Sequence, residues 1–532
     1  MSVRFSRAAV AVGLGLLALL GVLSPAPALA VDSGGTRLAI AVPLVVPANS
    51  TGLIPAQALA VYTAPGGLLT RQLDAVIDTP VAIGIDPMIL ASIRVLGTSA
   101  PGSALAWLER LKAATNETFA LGYADTDLAL VSQAGGALPF GPGDLEFALD
   151  PALFTAVPDS GATPSPTATS EPIEPVLPTT EDLLDWPYAL DGIAWPRDGS
   201  LIAGDLERIS AAGYGETIVA SSNLSGLNGG ARADVGGARV LVSDDAVSGA
   251  LRSAATGGAD AGAVRAAAVA AGSTVFATIG RGTPASDDRL GSVIAALAAD
   301  PSIQLVPLST VLADAPAPAS LADAAVSERA DRVAALLAAT AEDRAFSSIA
   351  ANPGAIVGPR QLALVALLSN AWNVNPAGWM RASGTFLQDS ADLRASVQVA
   401  EISSLLLVAD NSQYLPVNVD NALDQPVTVY VTLRPATAVL VVLEERVELT
   451  VPAQSQARVD IPVQSLTNGT VDFVVTLAAA SGQQIGSDVI GDVNVQAGWE
   501  TPIVIAIAAV VVLIFGVGIV RTILRRRRET DV

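Results

Sequence analysis

RLAIAVPLVVP at 37–47, VAIGIDP at 81–87 and TFALGYADTD at 118–127 set the architecture of the first half of the chain. Each is an apolar run of strand length, and the stretches between them (68–77, 88–95 and 103–114) carry apolar residues at helical spacing. The same alternation continues through GIAWP (192–196), ETIVASSN (216–223), ARVLVSDD (238–245), STVFATIG (273–280) and SIQLVPLSTVL (302–312). Helical patterns fall between these runs at 201–212, 263–271 and 287–299. Apolar runs alternating with helices argue for parallel β/α units. Spread over about 280 residues, they fit a closed (β/α) barrel of seven or eight strands better than an open doubly wound sheet. The Gly-rich NGGARADVGG (228–237) makes a turn or a hairpin, and a hairpin lowers the parallel count.

Composition changes mark the other parts. VPDSGATPSPTATSEPIEPVLPTTED (157–182) is rich in Pro, Thr and Ser and has no apolar period, so 156–182 reads as an insertion within the barrel-like region, 31–312, with an interdomain linker as the alternative. Region 313–403 reads as a helical subdomain with helices at 321–341, 361–371 and 389–402. Past Leu405 the apolar period falls to two. In PVTVYVTLRP, Val427, Val429, Val431 and Leu433 share one face. The same period in 471–477 and the turns at Asn468-Gly469 and Ser481-Gly482 give about seven short strands, an immunoglobulin-like β-sandwich over 404–498. The expected fold is therefore α/β plus all-β.

Both ends address a membrane. TPIVIAIAAVVVLIFGVGIVRTILRRRRETDV (501–532) has no charged, amide or hydroxyl side chain from Ile503 to Val520. At about 1.5 Å per residue that run is about 27 Å long, close to one bilayer core. Residues 501–520 are thus expected to span once, with Trp499 at the outer interface and the basic tail 521–532 in the cytoplasm. Arg4 and Arg7, the apolar 8–23 and Ala28-Leu29-Ala30 read as a signal peptide over 1–30. This places 31–500 outside the cell and holds the barrel on a stalk.

The chain has no Cys, no His and a formal net charge of −22. The acidic exterior argues against nucleic-acid partners. The missing residue types remove disulfides, thiol and imidazole metal ligands, Cys nucleophiles and a Ser-His-Asp triad. One Lys, Lys112, stands among 29 basic residues, a bias suggestive of a GC-rich bacterial genome.

Candidate chemistry lies at the C-terminal ends of the strand-like runs, which a β/α barrel gathers on one face. Asp86, Asp125, Asp127 and Asp198 are the candidate catalytic carboxylates, suited to acid–base work on sugars. Tyr123, Trp195, Asn223 and Asp244 are candidate substrate-binding residues, the two aromatics as stacking platforms. Asp and Asn after a strand are equally expected as helix N-caps, Asp86-Pro87 most plainly. No calcium loop and no phosphate loop occurs, and neither a metal nor a cofactor is expected.

The run 50–111 with YADTD (123–127), AWPRDG (194–199), VNVDNALDQPVTVYVTL (417–433) and NVQAGWE (494–500) resembles a family of secreted, membrane-anchored actinobacterial proteins. That family is classed as a domain of unknown function and is often encoded beside the lipid II flippase. The resemblance implies a role in the cell envelope and brings no activity. At fold level the barrel is also similar to the glycoside hydrolase and polysaccharide deacetylase group, with AWPRDG similar to a Trp-Pro-acid turn of amylase-like members. Metal-dependent deacetylases of that group use an Asp with two His, which this chain lacks. The expectation is a non-catalytic, single-pass envelope protein binding a glycan or a membrane-protein partner, with a metal-free glycoside hydrolase as the alternative.

Overall fold

Strands buried on both faces account for the unbroken apolar runs. The computed structural model describes residues 35–154, 176–227, 229–281, 289–400, 405–409, 413–497 and 500–528. The expected signal segment and most of the 156–182 excursion lie outside them. Ten strands build the first sheet, the two-residue Ala317–Pro318 and nine others: β1 (Thr36–Leu44), β2 (Ala82–Ile85), β3 (Thr118–Ala120), β4 (Ile193–Ala194), β5 (Glu216–Ala220), β6 (Arg232–Val235), β7 (Ala238–Ser243), β8 (Thr274–Thr278) and β9 (Ile303–Leu305). Parallel pairing runs β3–β2–β1–β8–β7–β5–β4. A Leu190 N–H to Thr118 O hydrogen bond of 3.0 Å links the segment before β4 back to β3.

One apolar cluster draws inward residues from all seven of those strands: Ala39 and Ala41, Ala82, Phe119, Ile193, Ile218, Leu241 and Phe276. A filled interior shared by seven parallel strands is a (β/α) barrel, in which small residues on β1 and β2 make room for Phe119 and Phe276. The alternate residues of β1, Leu38, Ile40, Val42 and Leu44, pack outward on helices. The Gly-rich segment forms a hairpin: β6 and β7 pair antiparallel across Gly236 and Gly237, both at positive φ. β9 pairs with Thr36–Leu38 at the start of β1.

Several expected bounds shift for local reasons. TFALGYADTD is strand only over β3, because Ala124 and Asp125 turn to φ of 55° and 51°. SIQLVPLSTVL breaks at Pro307 into β9 and a short helix, Leu308–Leu312. The helix expected at 321–341 is displaced, because Ala317–Pro318 pairs with β6 and Ser320–Leu321 with Leu224–Ser225, keeping the chain extended. The helix expected at 389–402 instead starts at Pro376, capped by the Asn375 side chain, and ends at Ala395.

The helices include α1 (Pro87–Val95), α2 (Leu128–Gln133), α3 (Asp205–Ala211), α4 (Asp245–Ala255), α5 (Ala330–Ser347), α6 (Gly354–Leu367), α7 (Pro376–Ala395) and α8 (Glu500–Arg528). Helices α5, α6 and α7 bury Leu336, Leu364, Leu367 and Phe386 against Leu130 and Val131 of α2, which seats this layer on the barrel. Asp343 of α5 ties them together. Its carboxylate accepts from Arg360 Nε (2.9 Å), Ser390 Oγ (2.7 Å) and Arg394 Nη1 (2.8 Å).

The next nine strands are β10 (Val397–Val399), β11 (Leu405–Ala409), β12 (Gln413–Asn421), β13 (Val427–Pro435), β14 (Leu440–Val442), β15 (Val447–Val451), β16 (Ser455–Ser465), β17 (Gly469–Ala478) and β18 (Gln484–Ala497). They form two sheets, β10–β12–β16–β14 and β11–β18–β17–β13–β15. Val427, Val429, Val431, Leu433, Val471, Phe473, Val475 and Leu477 all point into the sandwich core, as the two-residue period requires. Phe346 and Ile349 of the helical layer join that core, and Thr428 N donates to Ile349 O at 2.8 Å. β18 leads to α8. Within α8, Val504–Arg526 is long and apolar enough to cross a membrane and is not buried against anything among the described residues.

Candidate functional site

The strained turn after β3 organises the open end of the barrel. Two consecutive non-glycine residues at positive φ cost about 1–2 kcal/mol each, so neighbours must hold them. Asp86 does this from the end of β2. Its buried Oδ1 accepts from Met88 N at 2.9 Å, capping α1, and from Ala124 N at 2.8 Å. Asn370 Nδ2 donates to Asp125 O at 3.0 Å, Leu368 O accepts from Asp127 N at 2.9 Å, and Tyr123 Oη donates to Gly52 O at 2.8 Å.

The turn aims Asp125 at Arg281, just beyond β8. Arg281 Nε donates to Asp125 Oδ1 at 2.7 Å and Nη2 to Trp195 O at 2.6 Å, and the guanidinium lies 4.5 Å from the Trp195 ring centre. Burial pushes the Asp125 carboxyl up to about 6, with Arg281 pulling the other way. Burial also raises Asp86 well above the usual carboxylate range, and raises Asp127.

Arg281 and Asn370 stand between two lobes of a cleft. One lobe, of about 360 Å³, is mainly apolar, with Val45, Val46, Leu68, Trp372 and Val374 around Asp125. The other, the polar lobe, of about 250 Å³, is lined mostly by charged and amide residues, Arg197, Asp198, Arg252 and Asn373, beside Trp195. Three cleft residues each bury a polar atom that has no partner among the described residues: Asp125 Oδ2, Asn370 Oδ1 and Trp195 Nε1. An unmet buried polar atom costs about 1–3 kcal/mol unless water or a ligand answers it.

The residues singled out in the sequence separate clearly. Asp125, Asp198 and Trp195 line the cleft; Asp86, Asp127, Tyr123, Asn223 and Asp244 do not. Asp127 caps α2, accepting from Leu130 N at 3.4 Å, and Asp244 caps α4, accepting from Val247 N at 2.9 Å. Asn223 accepts from Leu201 N and donates to Leu201 O, both at 3.1 Å, which makes it a loop brace. Asp198 is 3.9 Å from Arg252. Arg281, Arg252, Asn370 and Asn373 were not anticipated. Arg281 directly follows STVFATIG and was open to the strand-end argument, whereas Asn370 sits in a helical connection with no such signal. Among the described residues no cluster of acidic side chains could hold a metal ion.

Asp86 therefore acts as a brace. Asp86→Ala removes both acceptor contacts and is expected to lower unfolding stability by roughly 2–3 kcal/mol. Asp86→Asn keeps the acceptor oxygen, removes a buried charge and should stay near wild type in denaturant unfolding. An equal loss in both variants would mean that the charge itself is required.

A family model described as "Family of unknown function (DUF6049)" matches residues 33–531. No curated protein matches the chain. Among solved structures, the alpha-amylase AmyC from Thermotoga maritima is 10% identical, with a TM-score of 0.42, over 68% of this chain and 93% of its own. Native alpha-2-macroglobulin from E. coli is 16% identical over 19% of this chain, TM-score 0.16, and the match spans only 7% of that protein. WR4, an MSP family member of C. elegans, is 13% identical over 19% of this chain and 98% of its own, TM-score 0.15. Likenesses this slight carry no functional argument.

Proposed function

We propose, for a chain that belongs to the DUF6049 family of unknown function, a role read from its own cleft: a single-pass, extracytoplasmic envelope protein that holds a glycan at the mouth of its barrel without cleaving it. The observation that carries this reading is the set of unanswered polar atoms around Arg281. Asp125 Oδ2 and Asn370 Oδ1 call for donors and Trp195 Nε1 for an acceptor, a mixture that sugar hydroxyls supply. These atoms are closed off from bulk solvent, so a ligand reaches them through a small side-chain displacement or a bound water. The apolar 504–526 segment and the arginines at 525–528 support anchoring with the barrel outside and the tail inside. The sandwich, read as Ig-like, then serves as the stalk.

A metal-free glycoside hydrolase is the second reading, favoured by the Asp125 carboxyl at about 6, a value suited to a general acid. It needs a second carboxylate roughly 5–10 Å away across one sugar. Asp198 is the other cleft carboxylate among the described residues, and it lines the opposite lobe. The test uses full-length protein in detergent with purified envelope glycan fragments, following binding by calorimetry and cleavage by release of reducing ends. Binding without cleavage is expected. Reducing ends that appear with wild type and vanish with Asp125→Asn would establish the hydrolase instead.

A further inference from the structure

We infer that the polar lobe is an anion subsite, so that the glycan held in the cleft is acidic and carries one carboxylate or phosphate between Arg197 and Arg252. The inference rests on the reading of the cleft as a glycan site and specifies its ligand.

The local charges do not balance, and the surplus is positive. Arg281 is spent on Asp125 at 2.7 Å. Buried Asp127 lies in the field of Arg197, Arg281 and Arg329, and Arg329 is itself largely buried. Asp198 reaches Arg252 only at 3.9 Å, too long for a hydrogen bond, and both side chains are about one-third exposed. Among the residues lining the two lobes, three arginines (Arg197, Arg252 and Arg281) thus face two aspartates (Asp125 and Asp198), and the Arg197 side chain has no hydrogen bond or ion pair among the described residues. A local excess of positive charge stands out in a chain of net charge −22.

The hydrogen-bond chemistry points the same way. Trp195 Nε1 is a donor only, and it is buried without an acceptor beside this lobe. An anionic oxygen satisfies it and the guanidinium forks together, whereas a cation satisfies neither. Gly280 completes the lobe: a Cβ there would lie 3.0 Å from Arg252 Cδ, so the glycine lets Arg252 lie across the end of β8. The neighbouring apolar lobe accommodates the sugar body, and Arg281 and Asn370 belong to both.

The test uses full-length protein in nanodiscs of neutral phosphatidylcholine, titrated with three size-matched oligosaccharides: neutral, uronic-acid-containing and phosphorylated. The acidic sugars should bind at least roughly tenfold more tightly than the neutral one, and lose that advantage as salt rises. Arg197→Ala and Arg252→Ala should each weaken acidic binding roughly tenfold more than neutral binding, and Arg252→Lys should recover part of that selectivity. A preference between the two acidic sugars identifies carboxylate or phosphate as the source. Equal binding of the neutral sugar, or acidic binding untouched in both alanine variants, overturns the anion subsite alone. Binding of none of the three overturns the glycan reading as well. Arg197 is exposed, so its variant remains informative if Arg252→Ala misfolds.

Discussion

Arg281→Ala is expected to abolish ligand retention and to lower stability by roughly 3 kcal/mol at pH 8, with a much smaller loss near pH 4. Among the described residues the guanidinium is the one cation bonded to Asp125, which is 2% exposed. The pH dependence follows from the direction of the Asp125 shift. Its carboxyl is raised from 3.8 to about 6 in the folded protein, so the native state holds the proton more tightly than the unfolded chain. Burying the carboxylate therefore costs stability, about 3 kcal/mol for a shift of roughly two units, fully above pH 6 and progressively less as pH falls through 6 toward 3.8. Removing Arg281 deletes a cause that pulls the carboxyl down, so it rises further and the extra cost is concentrated at neutral and alkaline pH. Denaturant unfolding at pH 5 and pH 8, with Asp125→Asn as the second corner of a double-mutant cycle, checks this. A loss of equal size at both pH values, or one undiminished in the Asp125→Asn background, would falsify the coupling.

Asp343→Ala is the second large effect, expected to cost roughly 3–5 kcal/mol. The side chain is fully buried and accepts from two arginines and a serine on two other helices. Without it, Arg360 remains a mostly buried cation whose partners among the described residues are Ser390, the Phe386 carbonyl and the Phe386 ring. Asp343→Asn keeps one oxygen and should lose less. The damage should spread to the cleft, because Asn370 follows α6 and that helix is held through Arg360. Hydrogen exchange should show lost protection over 330–395 together with weaker glycan binding. A variant within 1 kcal/mol of wild type would show that the arginines find other acceptors.

What the sequence disclosed, and what it hid, follows from the range of the interactions. The barrel strands were legible because a doubly buried strand must be apolar throughout. The sandwich was legible because Val427 to Leu433 alternate between core and solvent. Both are local patterns. The site is not local: Asp125 meets its cation 156 residues later and Asn370 245 residues later. The strand-end rule gathers aspartates onto one face but cannot separate braces from lining residues. Asp86 and Asp244 satisfy helix N-termini, and the same positions in another barrel would serve equally well in chemistry. Only the direction of the turn after β3, two non-glycine residues at positive φ, presents Asp125 to the cleft, and YADTD carries no signature for it.

The order of strands in the sandwich has a mechanical consequence. In the chain β11 follows the barrel and the helical layer and β18 precedes α8, and the two run parallel, from Leu405 beside Val493 to Ala409 beside Ala497. A load that reaches the N-terminal end of β11 while α8 is held fixed would pull on opposite ends of this pair. That load acts along the ladder, so its bonds resist together rather than opening one by one from an end. Antiparallel pairing at this place would unzip under the same pull.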